Sequence, residues 1–130
     1  MEMHEIIIIA IILLLALFMG GSLPKKYRIR NCEGFAWRRE FPSASKEEIR
    51  AFLVLFTEAF TFRKKDKLLF RPDDKLLNIY KDLYPHKWQA DAMEFETLDE
   101  DLKNKHGFGL ADIWHEDLTL GELFSRVQGS

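Results

Sequence analysis

The sequence predicts an all-α protein: a small helical bundle preceded by one transmembrane helix. Three observations carry this. Residues 6–19 are fourteen uninterrupted apolar residues. Further on, apolar residues recur at three- and four-residue spacing behind helix-start signals. No stretch of useful length alternates apolar and polar residues in the manner of a half-buried strand, and no internal repeat is present.

The apolar run is the first element. Its uncharged part extends through Gly20, Gly21 and Ser22 to Leu23, eighteen residues in all. A helix over residues 6–23 would be about 27 Å long at 1.5 Å per residue, enough for a thin bilayer. Glu2 and Glu5 precede the run, whereas Lys25, Lys26, Arg28 and Arg30 follow it. A secretory signal has the opposite charge order. The positive-inside rule therefore expects a single-pass inner-membrane anchor with the C-terminal body in the cytoplasm. The alternative is a signal cleaved near Gly20-Gly21-Ser22, with a periplasmic body.

Residues 24–42 read as a basic linker in which Tyr27, Phe35 and Trp37 alternate with arginines. Lys25, Lys26, Arg28 and Arg30 are the membrane-flanking candidates, through contact with anionic headgroups. The bland alternative is a stop-transfer flank and tether.

Residues 43–130 form the expected helical domain. Ser45 and Glu48 have capping-box spacing, and Ile49, Phe52, Leu53, Phe56 and Phe60 follow on one helical face. Residues 62–70 read as a charged loop. Arg71-Pro72-Asp73-Asp74 reads as the start of a short second helix, with Leu76, Leu77, Ile79, Tyr80 and Leu83 inward, stopped by Tyr84-Pro85-His86. Asp91 is a good N-cap for a helix running to about Lys105, stopped by His106-Gly107. Residues 108–117 are irregular. Thr119 and Glu122 repeat the capping-box spacing before a last short helix that turns Leu120, Leu123, Phe124 and Val127 inward.

Composition bounds the function. The chain has 130 residues, room for one small domain and an appendage, and eleven Phe with which to build a core. A formal net charge of -2 creates no global field for nucleic acid, which is not expected as a partner. The charge is unevenly placed, however. Residues 25–39 hold six basic side chains against one acidic, and residues 91–122 hold ten acidic against two basic. The single cysteine, Cys32, excludes an internal disulfide framework and a Cys-rich zinc site.

A long helix, a lengthy loop, an acidic helix opening with Asp, and a short closing helix after Thr: this order, over about residues 43–127, resembles the acyl carrier protein family. In that family the second main helix opens with Asp-Ser-Leu, and the serine carries phosphopantetheine. The matching triplet here is Asp91-Ala92-Met93. Glu94 to Leu102 is similar to the family's acidic recognition helix, His106-Gly107-Phe108 to its end, and Leu118-Thr119-Leu120-Gly121-Glu122-Leu123 to the last helix. There are two departures. Ala92 has no hydroxyl to modify, and Lys81 to Ala90 is an added stretch. The chain thus resembles short bacterial carrier-like proteins that lack the serine. The resemblance implies no phosphopantetheine cofactor at the usual position. It also implies docking of the acidic helix on an unknown partner protein with a basic surface, with Glu94, Glu96, Asp99, Glu100 and Asp101 as contacts. The plain alternative is a solvated helix face.

No other chemistry is assembled. His86, His106 and His115 lack a ligand partner at helical spacing, and His115-Glu116-Asp117 is a loop triplet, so no metal is expected. Carboxylates at i, i+2 on a helix diverge, which argues against a hydrolytic pair. Cys32 has no base beside it in sequence. Trp88 and Trp114 are read as pinning loops onto the core. The expected function is a membrane-anchored, non-enzymatic interaction or regulatory module with no catalytic residues. The alternative is an acyl or peptidyl carrier at the membrane, modified at a position other than Ala92.

Overall fold

The computed structural model describes residues 2–19, 23–84 and 93–130, with side chains given throughout those ranges except at 14–19. Among the described residues every regular element is helical. In chain order they are α1 (Met3–Met19), α2 (Lys25–Arg28), α3 (Gly34–Glu40), α4 (Lys46–Ala59), α5 (Leu76–Leu83), α6 (Met93–His106) and α7 (Leu120–Gln128), with 3₁₀ turns at Lys64–Leu69 and Leu110–Asp112.

The centre of the fold is α4. The Ser45 hydroxyl accepts from the Glu48 N–H at 3.1 Å and so starts the helix where the sequence places it. Ile49, Phe52, Leu53, Phe56 and Phe60 are all buried, as are Leu55, Thr57 and Ala59 on the flanks of that stripe. α4 accordingly packs most extensively against the 3₁₀ turn after it, α6 and α7. The expected loop over residues 62–70 is this 3₁₀ turn, and it ends in the buried Phe70.

α5 begins at Leu76, later than its charged prelude suggests. Residues 72–75 are used instead to meet the chain before α7. The Leu76 N–H donates to the Leu118 carbonyl (3.0 Å), Leu120 to that of Asp74 (2.9 Å) and Gly121 to that of Pro72 (2.7 Å), around an isolated antiparallel bridge between Lys75 and Thr119. α6 stops at Gly107, whose φ of 75° is the left-handed conformation that glycine adopts without strain.

Two expectations are overturned. The first is the membrane span over residues 6–23. α1 has 17 residues, and no helix among the described residues is long and apolar enough to cross a membrane. The physical reason is length. Fourteen apolar residues rise only about 21 Å as a helix, against a hydrocarbon core of about 30 Å. The single-pass inner-membrane placement, and the orientation derived from it, fall with the span.

The second is the linker over residues 24–42, which is part of the domain. Leu23, Tyr27 and Trp37 are buried in the same cluster as Phe56, Phe70 and Phe124. The Trp37 indole N–H donates to the Phe70 carbonyl at 2.8 Å, and its ring meets Phe124 edge-on at 5.8 Å. The Tyr27 hydroxyl donates to Asp82 at 2.6 Å. Burial first, and that hydrogen bond second, push the Tyr27 phenol well above its ordinary value, so it stays a donor.

Two of the basic residues expected at a membrane surface are engaged within the domain. Arg30 grips both oxygens of Asp74 at 2.7 and 2.9 Å. Lys26 pairs with Asp82 at 2.7 Å. Lys25 and Arg28 are exposed.

Candidate functional site

The acidic helix α6 is amphipathic in a way that divides its carboxylates. Glu94, Leu98 and Leu102 lie at i, i+4, i+8 and form one buried stripe. Glu94 is thus a core residue, 7% exposed. One of its oxygens accepts from the Tyr84 hydroxyl, and the other is buried with no hydrogen-bond partner among the described residues. Expected as a partner contact, Glu94 is not presented to one.

Asp99 is also committed inward. It accepts from the Leu110 N–H at 2.7 Å and pairs with Lys103 at 2.9 Å. Lys103 first, and the Leu110 N–H second, hold its carboxyl below the usual carboxylate range. Glu96 and Glu100 are exposed, and Asp101 is half-buried. Of the five expected contacts, then, Glu96 and Glu100 stand free on the surface, and Asp101 does so in part. Asp91 and Ala92, the cap and the degenerate attachment position, lie outside the described residues.

The role of Asp99 is structural, since it folds the chain after α6 back against the helix. Asp112 assists by accepting from the Gly109 N–H at 2.8 Å. The approach is close. A Cβ at Gly109 would fall 2.8 Å from both Asp99 Oδ1 and Lys103 Cε, so the position takes only glycine without a shift.

The fold-back creates a groove of about 430 Å³ between α6 and residues 109–114. Phe95, Leu110 and Trp114 supply its apolar wall, while Glu96, Asp99, Asp112 and Lys103 form its rim. Phe95 reaches from groove to core, with Tyr80 at 4.6 Å and Phe60 at 5.8 Å. Trp114 closes the outer end edge-on to Phe95 at 5.3 Å and remains 39% exposed. From sequence Trp114 is a loop pin; the exposed face of the indole makes it part of the groove as well. Gly109 and Leu110 carry no local signal, because their role depends on a fold-back over Asp99, eleven residues away from Leu110.

His115 is hydrogen-bonded to Glu122 at 2.8 Å. No group of three or more His, Cys, Asp or Glu residues among the described residues is arranged to hold a metal ion. No protein-family model, curated protein or solved structure matches this chain.

The Asp99 arrangement has a pH signature. Its folded-state pKa is below the unfolded value of about 3.9, so the folded form binds fewer protons. The stability it confers is fully present above about pH 4 and is lost as pH falls through the lowered folded value. Glu48 and Asp117 are shifted the same way, by hydrogen bonds from Gln128 and Lys75 respectively. Melting temperature followed by circular dichroism from pH 6 to about pH 2.5 is expected to drop below about pH 4. Asp99→Asn is expected to start lower at pH 6 and to lose less over the same interval. A parallel curve would show that Asp99 does not supply this dependence.

Proposed function

We propose that this chain is a non-enzymatic protein-interaction module with a carrier-protein-like order of helices. It docks an apolar segment flanked by basic residues into the groove beside α6. The observation that supports this most directly is the conjunction of an apolar wall, Phe95, Leu110 and exposed Trp114, with free carboxylates on the adjoining helix, Glu96 and Glu100. Exposed aromatics in concave apolar sites are the usual anchors of binding, while surrounding charges select the partner and speed its approach. The carboxylates are not paired for hydrolysis, and the groove holds no nucleophile with a base.

A synthetic amphipathic peptide of Leu and Lys, titrated into the labelled full chain, provides the test. Saturable amide shifts are expected along α6 and residues 109–114, weakening as salt is raised. Glu96→Lys with Glu100→Lys is expected to weaken binding tenfold or more, about 1.4 kcal/mol, and to abolish the salt dependence. Trp114→Ala is expected to weaken it without changing the salt dependence. Unchanged affinity in both variants would remove the reading. Glu94→Lys is not a useful probe, since it places a charge reversal in the core. Intact mass after incubation with a phosphopantetheinyl transferase separates this reading from the carrier alternative, because a gain of the prosthetic group would replace an interaction role with a carrier role.

A further inference from the structure

A second concavity lies at the junction of α3, α4 and the 3₁₀ turn Lys64–Leu69, with half of its lining residues from the stretch the sequence presents as a linker. The Glu33 N–H donates to the Leu68 carbonyl at 2.6 Å and draws the start of α3 onto that turn. Between them is a pocket of about 250 Å³ with Ile49 and Leu68 at its base and Phe35 at its edge. Its walls carry Arg38, Lys46 and Arg50, and no acidic side chain lines it. None of these three cations takes part in an ion pair or side-chain hydrogen bond found among the described residues.

The placement runs against local helix preferences. Lys46 sits in the first turn of α4, where the helix dipole disfavours a cation. Lys46 and Arg50 are an i, i+4 like-charge pair, which also weakens a helix. Glu47 and Glu48 share that first turn but do not line the pocket, and Glu48 is occupied by Ser45 and Gln128. Phe35 is 73% exposed at the rim, an apolar surface left to solvent beside a cationic wall. Choices that disagree with local stability are expected where a ligand is to be bound.

We propose that this pocket binds a small organic anion: a carboxylate or phosphate joined to a short apolar chain or a single ring. Arg38, Lys46 and Arg50 hold the anionic head, and Phe35, Ile49 and Leu68 receive the apolar part. The size sets the class. Small-molecule sites run to about 300–1,000 Å³, so a pocket of about 250 Å³ takes a short ligand and not a long lipid chain. The site is separate from the α6 groove and does not depend on the interaction role.

The full chain is titrated with hexanoate, hexyl phosphate and hexanol, reading the amides of residues 32–38, 46–50 and Leu68. Saturable shifts are expected with one or both anions, and the stronger of the two identifies the head group. Hexanol is expected to bind at least about fivefold more weakly. Arg38→Gln with Arg50→Gln is expected to reduce anion affinity by about fivefold or more while leaving the hexanol shifts unchanged. Both side chains are exposed, so the fold is retained. Cys32 supplies a second readout. Its thiol is exposed and lies over Gly34, where an added Cβ would be 3.5 Å from Sγ. Bound anion is expected to slow alkylation of Cys32 by neutral iodoacetamide in the parent and not in the variant. Equal binding of hexanol and the anions, unchanged anion affinity in the variant, or the absence of saturable shifts overturns the proposal.

Discussion

Replacing Trp37 with alanine is expected to remove about 3–5 kcal/mol of stability, the range for deleting a large buried aromatic. The side chain has no exposure and packs against Phe41, Phe52 and Phe124, with ring centroids 5.8 to 6.1 Å away. Its indole N–H satisfies the Phe70 carbonyl, and the truncation leaves that buried acceptor bare. A domain of this size has about 5–15 kcal/mol in all, so a single change in the supposed linker would cost a large share of it. Urea unfolding read by far-ultraviolet circular dichroism checks this. A midpoint within experimental error of the parent would mean that residues 24–42 do not belong to the cooperative core.

Arg30→Ala is expected to cost about 2–3 kcal/mol, somewhat less than the 3–5 typical of breaking a fully buried pair, because the Arg30 and Asp74 side chains keep 16% and 11% of their exposure. Two bonds to Asp74 and one to the Leu69 carbonyl are lost together. Asp74 keeps the Arg71 N–H, at 2.7 Å, and is left as a poorly compensated charge. Arg30→Ala with Asp74→Asn is therefore expected to be more stable than the sum of the two single changes predicts, since the orphaned charge is gone. Strict additivity in the cycle would show that the pair acts as two separate surface groups.

Both predictions concern a segment that local patterns misplace. Ser45 and Thr119 announce their helices because a cap is a local event, and the α4 stripe announces its buried face because periodicity is local too. Trp37 and Tyr27 offer neither signal. They stand among arginines in short helices, and three of the partners that hold them, Phe70, Asp82 and Phe124, are 33 to 87 residues further along the chain. Arg30 looks like a membrane-facing cation until Asp74 is brought beside it. Glu94 is more legible than its charge suggests. Its spacing to Leu98 and Leu102 places it on the inward stripe, but a carboxylate points to the surface, and only the Tyr84 hydroxyl explains how it is accommodated. The length of α1 is open for a different reason: an apolar run gives composition, not the point at which a helix ends.

The backbone bridge between Lys75 and Thr119 has a consequence for how the molecule opens. A helix ordinarily begins with N–H groups that have no partner within it. In α7 the first three are taken: Leu120 by Asp74, Gly121 by Pro72 and Glu122 by the Thr119 hydroxyl. The first N–H of α5 is taken in turn by Leu118. Neither helix can fray at its leading end without undoing the other, although some forty residues of chain separate them. In native-state hydrogen exchange the amides of Leu76, Leu120 and Gly121 are expected to form one slow class with a common opening free energy, where isolated helix starts would exchange first.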